Sequence, residues 1–313
     1  MVISTRRRLA AALSALAIAA LALAGCADSS EDTPTSAGPS AAAYPVTAGG
    51  VTLDKRPEKI VSLSPTATEM LFAIDAGKQV TAADENSNYP PEAPKSDLSG
   101  FQPNAEAIAA KDPDLVVISN DLNKIKDQLT QLKIPVYLAA AAVTLDDTYR
   151  QITELGALTG HPAEAGTVVA KMKDDIAGIV KQVPQRATNP TYYYELGTEL
   201  YSVTSKTFVG SLFTMAGLDN IADPADADGS KGGYPQLAEE FLVKANPDFV
   251  FLADTKCCGQ SAATVKSRPG WSGITAVKQD QIVALDDDIA SRWGPRVVDL
   301  LRTIVASTAK AGG

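Results

Sequence analysis

The segment PAEAGTVVAKMKDDIAGIVKQV, residues 162–183, places apolar side chains at Val168, Val169, Met172, Ile176, Ile179, Val180 and Val183. Steps of three and four residues line these up as one stripe on an α-helix. Pro162 suits a first helical turn, where its missing N–H would be unpaired anyway, and Pro184 stops the run. A helix over this span is roughly 33 Å long, about the width of a small domain. Two architectures accommodate it: a core helix of one domain, or a strut between two lobes.

The flanking sequence favours the strut, because the order of elements before it returns after it. Ahead of it, strands are expected at 59–63, 79–83, 113–118 and 134–139, separated by helices at 67–76, 104–110 and 122–132. Beyond it, strands at 191–195, 220–222, 247–252 and 281–285 alternate with helices at 207–216 and 236–245, a helical region at 263–277 and a terminal helix at 295–308. Such alternation implies parallel sheets with helices on both faces. The repeat is also visible in single residues. EAIAAKDPDLV at 106–116 and EFLVKANPDFV at 240–250 keep Glu, Pro-Asp and Val at one constant offset, and Ala76-Gly77 has a counterpart in Ala216-Gly217. The expected fold is therefore α/β: two similar lobes, each a parallel sheet flanked by helices, joined by one long rigid helix, with a ligand cleft between them. The boundaries are a leader over 1–25, a tether over 26–50, an N-terminal lobe over 51–160, the connecting helix over 161–184 and a C-terminal lobe over 185–313.

The leader has Arg6, Arg7 and Arg8 ahead of an apolar run from Leu9 to Leu23, too short for a good membrane span. It ends in Leu23-Ala24-Gly25-Cys26, which resembles a bacterial lipobox, so cleavage before Cys26 and lipid attachment (diacylglyceryl and palmitate) to its sulfur are expected. The arginines are also compatible with twin-arginine export. The Ser-, Ala- and Pro-rich residues that follow have little to bury and are expected to stay flexible. The formal charge of −9 becomes −12 once the three leader arginines, which no leader acid balances, are removed. So acidic a body argues against nucleic acid and against a basic membrane-binding face. Contact with the membrane is expected through the lipid alone, on the outer face of the cytoplasmic membrane, with a monomeric body.

Chemistry-bearing motifs are few. There is no phosphate-binding Gly-rich loop, no G-x-S-x-G elbow and no H-E-x-x-H, and His161 is the only histidine, so an enzyme is not expected. His161 follows Gly160 at a helix junction and reads as an exposed loop residue. Asp286, Asp287 and Asp288 read as an exposed acidic turn. Cys257 and Cys258 provide too few ligands for a metal site. Adjacent in an exported chain, they are expected to form a vicinal disulfide at the cleft-facing end of the 249–252 strand, with free thiols or an intermolecular bond as the alternatives.

Four stretches, SLSPTATEMLFAIDAG (62–77), NAEAIAAKDPDLVVIS (104–119), FVGSLFTMAGLDNIA (208–222) and YPQLAEEFLVKANPDFVFLA (234–253), resemble the substrate-binding lipoproteins of ABC importers for ferric siderophores, haem and cobalamin. The resemblance covers essentially all of 51–310. ALDDDIASRWGPRVVDLL (284–301) and the CCGQS stretch look most like the ferric-dicitrate-type lipoproteins of actinobacteria. This implies capture of a ferric siderophore or related iron chelate in the interlobe cleft and delivery to a dimeric ABC permease, with no resident cofactor. Haem or cobalamin is the alternative cargo, and a non-transport envelope or signalling role the alternative function. The resemblance also implies one acidic docking residue per lobe, at Glu106 and Glu240. In the cobalamin-binding members two cleft tryptophans occur. Tyr234 stands at one of those positions and Gly100 at the other, a departure that weakens the cobalamin expectation.

Loops past the carboxyl ends of parallel strands bind ligands in open α/β sheets. Here they supply Ser64, Tyr89, Tyr201, Arg292, Trp293 and Arg296, with Phe101 and Tyr234 on loops that enter helices. Rings stack on planar groups and guanidinium forks grip carboxylates, so the set suits a large, flat, anionic ligand. Core packing is the alternative for Phe101 and Tyr201, and helix packing for Arg296.

Overall fold

The strand order repeats between the two halves of the chain. The structure, a computed structural model, describes residues 43–309, so the leader, Cys26 and most of the tether lie outside the described residues. A hairpin of β1 (Val46–Ala48) and β2 (Val51–Leu53) opens the fold. Its turn is Gly49-Gly50, both at positive φ, as a two-residue turn requires when it must match strand twist. The tether expected to run to residue 50 thus gives way to ordered strand by Val46.

In the N-terminal lobe, β3 (Ile60–Leu63), α1 (Pro65–Ala73), β4 (Val80–Ala83), α2 (Ala105–Ala109), β5 (Leu115–Ile118), α3 (Ile125–Gln131) and β6 (Val136–Leu138) follow in turn, then α4 (Leu145–Thr159). Helix α5 (Pro162–Val180) leads to the C-terminal lobe. That lobe contains β7 (Thr191–Glu195), α6 (Phe208–Met215), β8 (Asp219–Asn220), α7 (Glu239–Ala245), β9 (Phe249–Leu252), α8 (Thr255–Cys258), α9 (Ala262–Lys266), α10 (Thr275–Lys278), β10 (Ile282–Ala284), α11 (Asp287–Ala290) and α12 (Val297–Thr308). The sheets are β4-β3-β5-β6 and β8-β7-β9-β10, both parallel throughout. In each lobe the first strand lies second from one edge, so the connectivity is the same.

The Pro-Asp repeat has a physical cause. Asp114 accepts from the backbone N–H groups of Glu58 and Lys59 at 2.9 and 3.0 Å, tying the start of β5 to the start of β3. Asp248 accepts from Thr191 N at 2.8 Å and its hydroxyl at 3.0 Å, tying β9 to β7. Each carboxylate pairs donors that the end of a parallel ladder leaves free. Strands β3, β5 and β9 are buried at every residue, as covered parallel strands are.

The lobes share one core. A single apolar cluster runs from Ile60 and Met70 through Ile152, Met172 and Ile176 to Tyr192, Phe213 and Ile304. The outer face of each sheet has its own smaller cluster. Helix α5 buries Met172, Ile176 and Ile179 from the expected stripe and ends at Val180, one turn short of Val183. Its packing into this shared core holds the lobes together rather than merely linking them.

Helix α4 has no counterpart among the sequence expectations. Thr144 and Asp147 form a reciprocal capping box at its start, and Gly160, at φ 79°, ends it. Gly156 lets it close on α5, since a Cβ there would sit 2.4 Å from that of Ala165. His161 caps this junction and is not an exposed loop residue. Its side chain is only 14% exposed, with Nε2 at 2.6 Å from Arg56 Nη2 and 3.1 Å from Gln79 Oε1. Burial and then the Arg56 charge lower its pKa, so the ring is neutral at pH 7 and accepts from the guanidinium.

Candidate functional site

The loops after the strands of both sheets face each other across the lobe boundary. Ser64 begins the first of them but is buried, and its Oγ accepts from Ala67 N at 3.3 Å as the cap of α1. A cap is its role here, not an open contact. Around it, hydroxyls chain from Ser62 to Thr68 (2.9 Å), Ser87 (2.8 Å) and Asp84 (2.5 Å), which fixes the loop after β4.

The aromatic residues are exposed, which removes the core-packing alternative: Phe101 at 69%, Tyr234 at 51%, Tyr201 at 45% and Tyr89 at 43%. Tyr234 and Trp293 line a cavity of about 200 Å³ with Leu196 and, from the N-terminal lobe, Ala141 and Ala142. Leu196 was not anticipated; its signal in the sequence is an apolar residue directly after the carboxyl end of a strand. Trp293 is held by its Nε1–H, which donates to Gln151 of α4 at 3.0 Å, while its carbonyl accepts from Thr148 at 2.9 Å. Phe101 belongs to a separate hollow with Glu85 and Asp97. Gly100 beside it packs against β3: a Cβ would lie 2.6 Å from the Leu63 carbonyl oxygen. No side chain fits there without a shift, and the ring at Phe101 stands one residue away.

The guanidiniums are not free. Glu69 of α1, almost fully buried, accepts from Arg292 Nη1 at 2.8 Å, from Arg296 Nε at 2.9 Å and from Arg296 Nη2 at 2.5 Å. Arg292 Nη2 also donates to the Asn86 carbonyl and to Asp288, each at 3.0 Å. Arg296 lies over the Tyr89 ring, 4.1 Å from its centroid. Arg296 and Tyr89 line a different cavity from Arg292, Trp293 and Tyr234. The expectation that both guanidiniums offer forks to an anionic ligand in the cleft is thereby corrected: Arg292 spends Nη1 on Glu69 and Nη2 on Asn86 and Asp288, and Arg296 spends Nε and Nη2 on Glu69 and lines the other cavity. Glu69 itself went unnoticed in the sequence; its signal is a lone acid inside the apolar run of α1.

The acidic turn is likewise committed. Asp287 accepts from the N–H groups of Thr255, Lys256 and Cys257, capping α8, while Lys256 bridges Asp286 and Asp288 at 2.8 and 2.7 Å. Asn88 of the N-terminal lobe donates to Asp288 at 3.0 Å. On α8 the structure joins the sulfurs of Cys257 and Cys258 as a vicinal disulfide, both residues being exposed after β9.

Beneath that loop, Arg268 grips Glu195 through two hydrogen bonds of 2.6 Å. Asp254 beside them is fully buried, and neither carboxylate oxygen has a partner among the described residues. Burial first, and then the Glu195 charge, raise its pKa to about 7. A carboxyl with a raised folded pKa keeps its full stability only below the unfolded pKa and loses it as pH climbs to the folded value. Asp254→Asn removes that loss. The variant is expected to exceed the parent at pH 8 by about 1–3 kcal/mol, since a pKa shift of one unit is worth about 1.4 kcal/mol and only the parent has a buried carboxyl to charge, and by little at pH 4. Urea midpoints at the two pH values check this; an equal difference at both contradicts it.

Glu106 and Glu240 are exposed and occupy the second position of α2 and α7, the helices that precede the third strand of each lobe. Among the described residues, no helix is long and apolar enough to cross a membrane.

Comparison with known proteins places this geometry. Residues 60–289 match the family described as periplasmic binding protein. An uncharacterized ABC transporter substrate-binding lipoprotein of Bacillus subtilis, YvrC, is 29% identical over 307 residues, covering 94% of this chain and 95% of that protein. A cobalamin-binding protein of Halobacterium salinarum is 31% identical over 257 residues, 80% of this chain and 69% of that one. The crystal structure of a protein from Staphylococcus epidermidis, described as a possible iron-binding (periplasmic solute-binding) protein, superposes with a TM-score of 0.70 at 25% identity, covering 82% of this chain and all of that one. Two lobes of the same connectivity, a shared core and a loop-lined cleft are what that kinship predicts, and the chain belongs to the periplasmic binding protein family.

Proposed function

We propose that the chain is the substrate-binding lipoprotein of an ABC importer, attached through Cys26 on the outer face of the cytoplasmic membrane. We further propose that its cleft takes a large, flat, metal-bearing macrocycle of low net charge, a corrinoid of the cobalamin type. The observation that carries this is the contrast at the cleft cavity: Tyr234, Trp293 and Leu196 line it, while the one guanidinium on it, Arg292, is already paired with Glu69 and Asp288. A small polyanion such as ferric citrate needs free forks and gains little from rings. A corrin offers broad apolar faces for aromatic contact. Beside Gly100, Phe101 is exposed on its own hollow of the N-terminal lobe and is assigned the part of a second ring contact. The B. subtilis and H. salinarum relatives support the importer and the corrinoid respectively. Haem is the second reading, favoured by the exposed phenol of Tyr234, since tyrosinate is a competent ligand of haem iron.

Glu106 and Glu240 would meet basic residues on the two permease subunits, each exposed pair contributing modestly, which suits a partner that must release. Glu106→Ala/Glu240→Ala is expected to leave ligand affinity in solution unchanged and to reduce uptake by cells about tenfold or more. Unchanged uptake, or binding that falls in parallel, contradicts the docking role.

A further inference from the structure

A second cavity, of about 610 Å³, lies across the Glu69 ion cluster from the cleft cavity: Arg292 lines the cleft side, Arg296 and Glu69 the other. Three parts of the chain wall it. Helix α1 contributes Phe72, α5 contributes Val168 and Met172, and α12 contributes Val298. Its volume is in the range of small-molecule pockets, and an occupant would touch both lobes and the helix between them.

The polar inventory is specific. Arg296 spends Nε and Nη2 on Glu69 and lays its face on Tyr89, which leaves Nη1 without a partner among the described residues; the side chain is 17% exposed. Glu69 answers both guanidiniums, and Asp288 pairs with Arg292 on the cleft side. At the rim, Lys171 pairs with Asp175 and Arg302 with Asp299, so those charges cancel. A cation finds the Tyr89 face already covered, and a polyanion finds a single guanidinium edge and the carboxylate of Glu92. What remains is one guanidinium edge at the base of an apolar chamber.

We propose that this cavity is a ligand site for an apolar monocarboxylate, an aryl or medium-chain acid, whose carboxylate meets Arg296 and whose body packs on Phe72, Val168, Met172 and Val298. The site is independent of which cargo the cleft takes.

The test is calorimetric titration of the purified protein with 2-naphthoate and with its uncharged methyl ester. Naphthoate is expected to bind saturably at one site, and the ester at least about tenfold more weakly, since a charge-assisted hydrogen bond is lost. Met172→Trp fills the chamber from α5 and is expected to abolish binding. Ala73→Trp, at an exposed lining position on α1, does the same should the first variant fail to fold. Tyr234→Ala, which removes a cleft ring and lines no part of this cavity, is expected to leave naphthoate binding unchanged. Absence of saturable binding at about 1 mM, a range typical of weak ligands, overturns the site, as does full binding in a folded tryptophan variant or loss of binding in Tyr234→Ala. Equal affinity for acid and ester overturns the role of Arg296.

Discussion

Replacing Glu69 by alanine is expected to destabilise the protein by about 3–5 kcal/mol, the penalty for removing one partner of a buried ion pair. The reason is asymmetry. Arg292 would keep its positive charge in a site that water scarcely reaches, with Asp288 its one remaining carboxylate, and Arg296, 17% exposed, would keep its own with none. Because Glu69 belongs to one lobe and the arginines to the other, the loss falls on the lobe boundary. Urea unfolding of the parent and the variant measures it. Adding Arg292→Met and Arg296→Met to the alanine variant is expected to recover much of the stability, since buried ion clusters replaced by apolar groups are often neutral or better. A loss below about 1 kcal/mol, the value of an exposed pair, contradicts the account.

The double variant Phe101→Ala/Tyr234→Ala is expected to weaken corrinoid binding by about a hundredfold or more, a loss of roughly 3 kcal/mol, in the range of aromatic anchors at interfaces. One ring stands on each lobe, Tyr234 on the cleft cavity and Phe101 on a separate hollow, and the corrinoid is proposed to touch both. Both rings are more than half exposed, and their removal leaves the fold nearly as stable as before, which separates lost recognition from lost structure. Affinity and thermal midpoint measured on the same samples check both halves. A fall in affinity that tracks a fall in midpoint assigns the rings to packing instead.

Architecture was legible because local rules and the global fold agree. The apolar stripe of Met172, Ile176 and Ile179 and the repeated Pro-Asp unit each have a short-range cause that sequence displays. Helix α4 was legible too: Tyr149, Ile152, Leu155 and Leu158 keep helical spacing behind a Thr144–Asp147 cap. Strand–helix alternation alone has no place for two consecutive helices, so it predicts α5 without α4 before it. The site was harder. An arginine shows its charge in a sequence, but not that its partner lies 223 residues away, as Glu69 does from Arg292. Tyr89 and Tyr234 look alike in sequence, yet one lies beneath Arg296 and the other stands open to the cleft cavity. Long-range pairing sorts such residues, and no local pattern records it.

Titration of the purified protein with cyanocobalamin, haemin and ferric citrate, followed through the fluorescence of Trp293 at the cleft, tests the central claim most directly. The account predicts one-site saturable binding of cyanocobalamin at about micromolar affinity or tighter, haemin as the weaker macrocycle, and no saturable response to ferric citrate. Saturable binding of ferric citrate with none of cyanocobalamin would contradict it, and would return the cleft to a polyanionic chelate that must find its positive charge elsewhere than at Arg292 and Arg296.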